Sequence, residues 1–224
     1  MATVSHELRT PLTSVVSFTE LLLDDPEGLT DEQLEFLTVI RRNANRLLLL
    51  VGDLLLLARL ESGGYKLEVA PVEVAKVLDH VTTSLSPQAT DGGLTIEASV
   101  ASGPPLHADA ARLEQVLVNL VSNAIKFTHP GGAITLTASY RDEVWSISVT
   151  DTGIGVPEAE RAELFERFFR ASNARTGRLP GTGLGLVISR VIVEMHGGAI
   201  ELESEVGVGT TVTVALPLRS GEAE

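Results

Sequence analysis

The chain has 224 residues, 44% of them hydrophobic, no cysteine, and a formal net charge of -13. That length suits one large domain or two small ones, each with apolar residues enough for a core. The missing cysteines exclude a disulfide framework, a thiolate metal site and a cysteine nucleophile, and the acidity counts against nucleic acid or an anionic membrane as a partner, since either would repel the chain.

Residues 5–12 read S-H-E-L-R-T-P-L and open an amphipathic helix. At 100° per residue His6, Thr10, Thr13, Ser17, Glu20 and Asp24 share one polar stripe, with Leu8, Leu12, Val15, Thr19 and Leu22 opposite. His6 therefore faces water rather than a core. Pro11 removes one backbone hydrogen bond and predicts a kink about one turn after His6; the alternative is a late helix start with the preceding residues extended.

A turn at residues 24–28 leads to Thr30, an N-cap whose capping box is completed by Gln33. A second helix is expected over residues 31–61, ending at Ser62-Gly63-Gly64. Its run from Leu47 to Leu60 is interrupted by Gly52, Asp53 and Arg59 and is shorter than the ~20 residues of a bilayer span, so no transmembrane segment, no direct membrane contact and no signal peptide are read. Met1 opens almost directly onto the motif, and any sensor or membrane anchor would belong to a preceding part of a longer protein. Leu47 to Val51 and Leu54 to Leu57 are apolar around most of the helix, more than one antiparallel partner covers. A second hairpin closing a four-helix bundle is the simplest remedy, which predicts a homodimer through residues 1–63. The alternative is that these leucines pack on the domain that follows.

Residues 65–69 read as a short strand or linker, 72–85 as a helix and 94–100 as a strand. Asp109 is a good N-cap for a helix over 110–127, with Leu113, Val116, Leu117, Leu120, Val121, Ala124 and Phe127 on one face. The other face carries Arg112, Gln115, Asn119, Asn123 and Lys126, which puts two amide oxygens and one ammonium in a row. Such a row suits a hydrated divalent cation and a polyphosphate, although an ordinary solvated face is the plain alternative. Residues 133–140 and 144–150 alternate as a β-hairpin and deliver Asp151-Thr152-Gly153-Ile154-Gly155 to a strand end, where glycines admit a flat ligand and the carboxylate can accept from an exocyclic amine. An Asp-Gly turn is the bland alternative.

Residues 157–169 read as a short helix with Phe165, Phe168 and Phe169. Residues 171–180 lack apolar periodicity, carry Arg175, Gly177 and Arg178, and are expected to be mobile and basic. They end in Gly181-Thr182-Gly183-Leu184-Gly185-Leu186, opening a helix over 186–195 whose N-terminus offers backbone N–H groups to an anion. The glycines follow no strand and no G-x-x-x-x-G-K-[ST] is present, so neither a dinucleotide fingerprint nor a P-loop fits. Strands over 199–204 and 210–217 close the sheet.

In this order the segments resemble the catalytic core of sensor histidine kinases of two-component systems, over essentially the whole chain. S-H-E-L-R-T-P-L looks like the H box, N-L-V-S-N-A-I-K-F from Asn119 to Phe127 the N box, and D-T-G-I-G from Asp151 to Gly155 the first glycine box. F-E-R-F-F-R from Phe165 to Arg170 looks like the F box, and G-T-G-L-G-L from Gly181 the second glycine box.

The resemblance implies a helical hairpin, residues 1–63, for dimerisation and histidine phosphotransfer, a linker at 64–67, an ATP-binding domain at 68–219 and a tail at 220–224. The second domain would have the gyrase/Hsp90-like fold, an α/β two-layer sandwich with a mixed sheet. His6 would be the phosphoacceptor, largely neutral at pH 7 if its pKa is near the usual ~6.5, with Glu7 as its base. The implied cofactors are ATP and Mg²⁺. Asp151 would read the adenine amino group, Asn119 and Asn123 would hold metal and phosphates, and Lys126 would meet the triphosphate. Phe127, Gly153, Gly155, Arg170, Arg178, Gly181, Thr182, Gly183, Leu184 and Gly185 would complete the nucleotide site, with residues 171–182 as its lid. Many relatives have tyrosine where this chain has Phe127, so any hydroxyl contact there is absent. The implied partner is a response-regulator receiver domain, and the implied location is the cytoplasm. Glu7-Leu8-Arg9-Thr10 also fits the E-x-x-T arrangement that supports regulator dephosphorylation, although Thr10 can equally be a residue that merely precedes Pro11. Two other readings compete: a nucleotide-clamping ATPase of the same superfamily, and a phosphotransfer scaffold without turnover.

Overall fold

The computed structural model describes residues 2–62, 64–176 and 181–219, and of residues 2–9, 61, 175 and 176 it describes the backbone alone. The chain forms two compact units, residues 1–62 and 63–224.

The first unit is a helical hairpin, α1 (Ala2–Asp24) and α2 (Asp31–Glu61). Helix α1 runs through Pro11, so it does not start late. Within the hairpin Val16 and Thr19 are buried, whereas Val15 and Leu22, expected on the inner face, are 42% and 47% exposed. The apolar surface of α1 is thus wider than one stripe. One side packs on α2, and the other, with Phe18 and Leu21, faces outward. The capping box of α2 forms as its sequence dictates: Gln33 N–H donates to Thr30 Oγ1 at 3.3 Å and Thr30 N–H to Gln33 Oε1 at 2.8 Å.

The second unit begins with β1 (Ala70–Val72), antiparallel to β3 (Leu106–Ala108). Between them lie α3 (Val74–Asp91) and β2 (Thr95–Val100). Then follow α4 (Ala110–Phe127), β4 (Ala133–Arg141), β5 (Val144–Asp151), α5 (Ser172–Thr176), α6 (Gly185–Met195), β6 (Ala199–Glu205) and β7 (Gly209–Pro217). The main sheet has the order β2-β4-β5-β7-β6, with β2 parallel to β4 and every other pair antiparallel. It is a mixed sheet, and α3, α4 and α6 cover one face of it.

Alternation along the strands sorts the two faces. Ile134, Leu136, Ile147, Val214 and Leu216 are buried, together with Leu113, Leu117, Val121, Val187 and Ile192 of the helices. At roughly 1.5–3 kcal/mol for each large apolar side chain buried, this layer is the principal source of stability. Hydroxyls line the other face, where Ser148 pairs with Thr213 at 2.9 Å and Thr150 with Thr211 at 3.0 Å.

Three expectations need correction. Helix α3 starts two residues later and runs six residues further than the pattern predicts, because Val72 belongs to a strand and Ala89 continues the buried face beyond Pro87. Residues 157–169 form two 3₁₀ turns, Glu158–Glu160 and Ala162–Phe165, rather than one helix. Phe168 has φ 64°, a left-handed conformation that no right-handed helix accommodates, and its N–H donates to Gly183 O at 3.0 Å. Finally, α5 lies in a segment expected to be irregular.

Candidate functional site

The site is built on α4. Asp109 caps the helix, its Oδ1 accepting from Arg112 N–H at 3.1 Å, and the apolar stripe from Leu113 to Ala124 is buried against the sheet. The stripe turns Asn119, Asn123 and Lys126 away from the core, where all three are half-buried. Ile125 is buried while Phe127, expected on the apolar face, is half-buried.

Helix α6 meets this polar row. Asn119 Nδ2 donates to Ser189 Oγ at 2.9 Å, and a Cβ on Gly185 would overlap Asn119 Oδ1. Further along, a Cβ on Gly181 would lie 2.7 Å from Lys126 Nζ. The ammonium sits 4.3 Å from the centroid of the Phe127 ring. Burial and the nearby Arg170 guanidinium lower the pKa of Lys126 to about 8. Two cations are therefore crowded together at a partly desolvated place, a cost that a bound anion would relieve.

The first glycine segment is fixed at the C-terminal end of α4. Asp151 ends β5, and its Oδ1 accepts from Gly153 N–H at 2.8 Å. Burial raises the carboxyl pKa, partly offset by hydrogen bonds from the backbones of Gly153 and Thr210. Ile154 N–H donates to Phe127 O at 3.0 Å, joining the loop to the last residue of α4. Gly155 has φ +62°, and a Cβ there would strike Glu205 O, so the position requires glycine twice over.

The second glycine segment docks on Phe168 and Phe169, which follow the two 3₁₀ turns. Gly183 has φ +74°, and a Cβ there would lie 2.8 Å from the backbone of Phe168 and Phe169. Leu184 N–H donates to Thr182 Oγ1 at 3.3 Å. The Leu184 side chain is fully buried, leaving only its backbone to meet a ligand. The N-cap residue Leu184 makes no side-chain cap, and the first N–H groups of α6 carry the positive end of its dipole.

The structure therefore brings Asn119, Lys126, Phe127, Arg170, Gly181 and Gly185 together along α4 and the start of α6, with Asp151 and Gly153 at the C-terminal end of α4. Arg178 lies outside the described residues, as do the side chains of His6 and Glu7. Thr10 is exposed on α1, its carbonyl accepting from Ser14 Oγ at 3.1 Å.

Ser189 and His196 escaped the sequence reading. Each looks like one more residue of an amphipathic helix, and only the packing of α6 on α4 gives it a polar partner.

Residues 108–220 match the family model for histidine kinase-, DNA gyrase B-, and HSP90-like ATPases. Residues 1–63 match the His Kinase A (phospho-acceptor) domain. This chain belongs to the sensor histidine kinases. Among similar curated proteins, the circadian input-output histidine kinase CikA of Synechococcus elongatus is 38% identical over 97% of this chain and 29% of its own length. The sensor protein SrrB of Staphylococcus aureus is 36% identical over 97% of this chain and 37% of its own. The chain thus spans less than half of either kinase. Among solved structures, full-length ShkA in complex with AMPPNP has a TM-score of 0.81 at 38% identity, covering 99% of this chain and 46% of that one. The Acinetobacter baumannii histidine kinase AdeS, at 23% identity and TM-score 0.68 over 95% of this chain and 98% of its own, shares the fold.

Proposed function

We propose that this chain is the catalytic core of an ATP-dependent autokinase that phosphorylates His6 and passes the phosphoryl group to an aspartate of a response regulator. The observation that carries this reading is the polar row of α4 meeting the glycine-rich start of α6, in a chain that opens on a phospho-acceptor hairpin.

Asp151, its carboxylate half-buried at a strand end, accepts from the adenine amino group, and Gly153 and Gly155 let the backbone approach the base. Lys126, Arg170, Arg178 and the N–H groups at the start of α6 hold the triphosphate. Asn119 and Asn123 fit a Mg²⁺ ion. They offer neutral hard oxygens, and the Asn119 Oδ1 stands in space that only a glycine at 185 leaves open. Among the described residues no three His, Cys, Asp or Glu side chains gather into a metal cage, and Mg²⁺ bound through a few ligands, waters and phosphates needs none. When bound, the ion neutralises charge on the transferring group.

A ring nitrogen of His6 attacks the γ-phosphorus in line. The N–P bond forms, the bridging P–O bond breaks, ADP leaves, and Glu7 takes the proton from the other ring nitrogen. In the second step the N–P bond breaks as an aspartate oxygen of the regulator takes the phosphoryl group. Thr10 orients a water for hydrolysis of that acyl phosphate, which gives the core a phosphatase activity as well. Phe18, Leu21, Phe36 and Leu49, each more than half exposed, supply the apolar surface of a homodimer that closes a four-helix bundle. ATP and receiver domains place this part of the protein in the cytoplasm.

Incubation with γ-labelled ATP and Mg²⁺ tests the reading. Label that is lost in acid and kept in alkali is expected of phosphohistidine, and acid-stable label would exclude it.

A further inference from the structure

We propose that Ser189 is the positioning residue for the metal-facing amide of Asn119. The inference rests on the reading of Asn119 as a Mg²⁺ ligand. A side-chain amide presents an acceptor at one end and two donors at the other, and only the oxygen binds a cation. An asparagine that ligates through Oδ1 must therefore find an acceptor for its NH₂ group within the protein.

Ser189 is that acceptor. It stands one turn beyond Gly185 on α6, its side chain 1% exposed, with Oγ 2.9 Å from Asn119 Nδ2. With Nδ2 held, Oδ1 occupies the place that a side chain at 185 would take, where even a methyl group would displace it. One helix thus supplies both halves of the arrangement: Gly185 the space for the oxygen and Ser189 the anchor for the nitrogen. Without the hydroxyl, the amide either leaves a buried N–H unpaired or rotates until Oδ1 no longer faces the cation.

Partners of this kind, one step removed from a metal, typically change metal affinity by about 10- to 100-fold when lost. The test is calorimetric titration of the whole chain with ATP across a range of Mg²⁺ concentrations, for the native sequence, Ser189→Ala, Asn119→Ala, Asn119→Asp and the Asn119→Asp/Ser189→Ala double variant. Ser189→Ala is expected to raise the Mg²⁺ concentration needed for half-maximal tightening of ATP about tenfold, with metal-free ATP affinity nearly unchanged. In the Asn119→Asp background the same change is expected to have a smaller effect on Mg²⁺ dependence, because a carboxylate presents an oxygen in either orientation and does not rely on the serine to choose which atom faces the cation. A lost packing contact would instead weaken both backgrounds equally, and that result overturns the proposal. Native Mg²⁺ dependence in Ser189→Ala overturns it too, and leaves the metal reading intact if Asn119→Ala has lost the dependence. If Asn119→Ala keeps the dependence, Asn119 is not a metal ligand and both fall.

Discussion

The backbone N–H of Asp109 donates to Nε2 of His196 at 3.0 Å, joining the start of α4 to the end of α6. Nδ1 of the same ring meets Ile192 O at 2.8 Å, so both bonds form together only in the neutral tautomer with its proton on Nδ1. The Asp109 carboxylate carries the linkage on to the start of the second unit. Although burial would raise its pKa, the N–H groups of Glu68 and Arg112, the Tyr65 hydroxyl and the Arg112 charge together lower it. Two helices that carry the polar row and the glycine segment are thereby clamped at the end remote from Gly185. Replacing His196 by Ala leaves the Asp109 N–H unpaired in a buried place and opens a cavity. The expected cost is about 2–4 kcal/mol, read from chemical denaturation.

The proposed contact of Lys126 with the triphosphate predicts a pH dependence of nucleotide affinity. The lysine's pKa of about 8 in the free protein must rise when a triphosphate binds beside it. Affinity for ATP is therefore flat from pH 7 to about 8 and falls above that, by at most about tenfold per pH unit. Titration with a fluorescent ATP analogue from pH 7 to 9.5 reads the slope. Lys126→Met binds more weakly throughout and loses the slope. The sign for folding is opposite. Because folding lowers this lysine's pKa, the penalty is full below pH 8 and is relieved as pH rises toward 10.5. Lys126→Met is therefore expected to raise the thermal midpoint of the nucleotide-free chain at pH 7, by a small amount because solvent screens the charge.

The proposed contact of Asp151 with the adenine amino group predicts base selectivity. Asp151→Asn is expected to lose about 10- to 100-fold in ATP affinity, the worth of a hydrogen bond to a charged group. An analogue lacking the exocyclic amine is expected to bind the native protein as weakly as ATP binds the variant. In the variant, removing the amine costs little more. Equal, additive losses would separate Asp151 from the amine.

Much of this was legible in the residues because local chemistry specified it. The Thr30–Gln33 capping box and the Asp109 cap form where their side chains demand, and the alternation in β4 and β5 fixes which face is buried. The β4–β5 turn, with Asp142 and Glu143 at φ 51° and 61°, was placed correctly without any glycine to mark it. What escaped notice was decided at longer range. Strands β1 and β3, three residues each, exist only because they pair across more than thirty residues of chain. The 3₁₀ turns replace a plausible helix because Phe168 must meet Gly183. Ser189 and His196 gain their partners only when α6 lies on α4.

The outward apolar surface of the hairpin predicts self-association. Phe18 and Leu21 of α1 are 67% and 64% exposed, and Leu49 of α2 is 63% exposed. Their burial between two copies would contribute several kcal/mol. The chain is expected to sediment as a dimer at micromolar concentration, and Phe18→Asp with Leu21→Asp as a monomer that still binds ATP. A native monomer would undo the four-helix arrangement.

The most direct measurement of the central claim is site-resolved phosphorylation. The native chain and His6→Gln are incubated with γ-labelled ATP and Mg²⁺, with ATP affinity measured on both, and the labelled peptide is mapped under alkaline conditions by mass spectrometry. The account predicts label on His6 alone, none on His6→Gln, and equal ATP affinity in the two proteins. Label of undiminished stoichiometry on His6→Gln would contradict it.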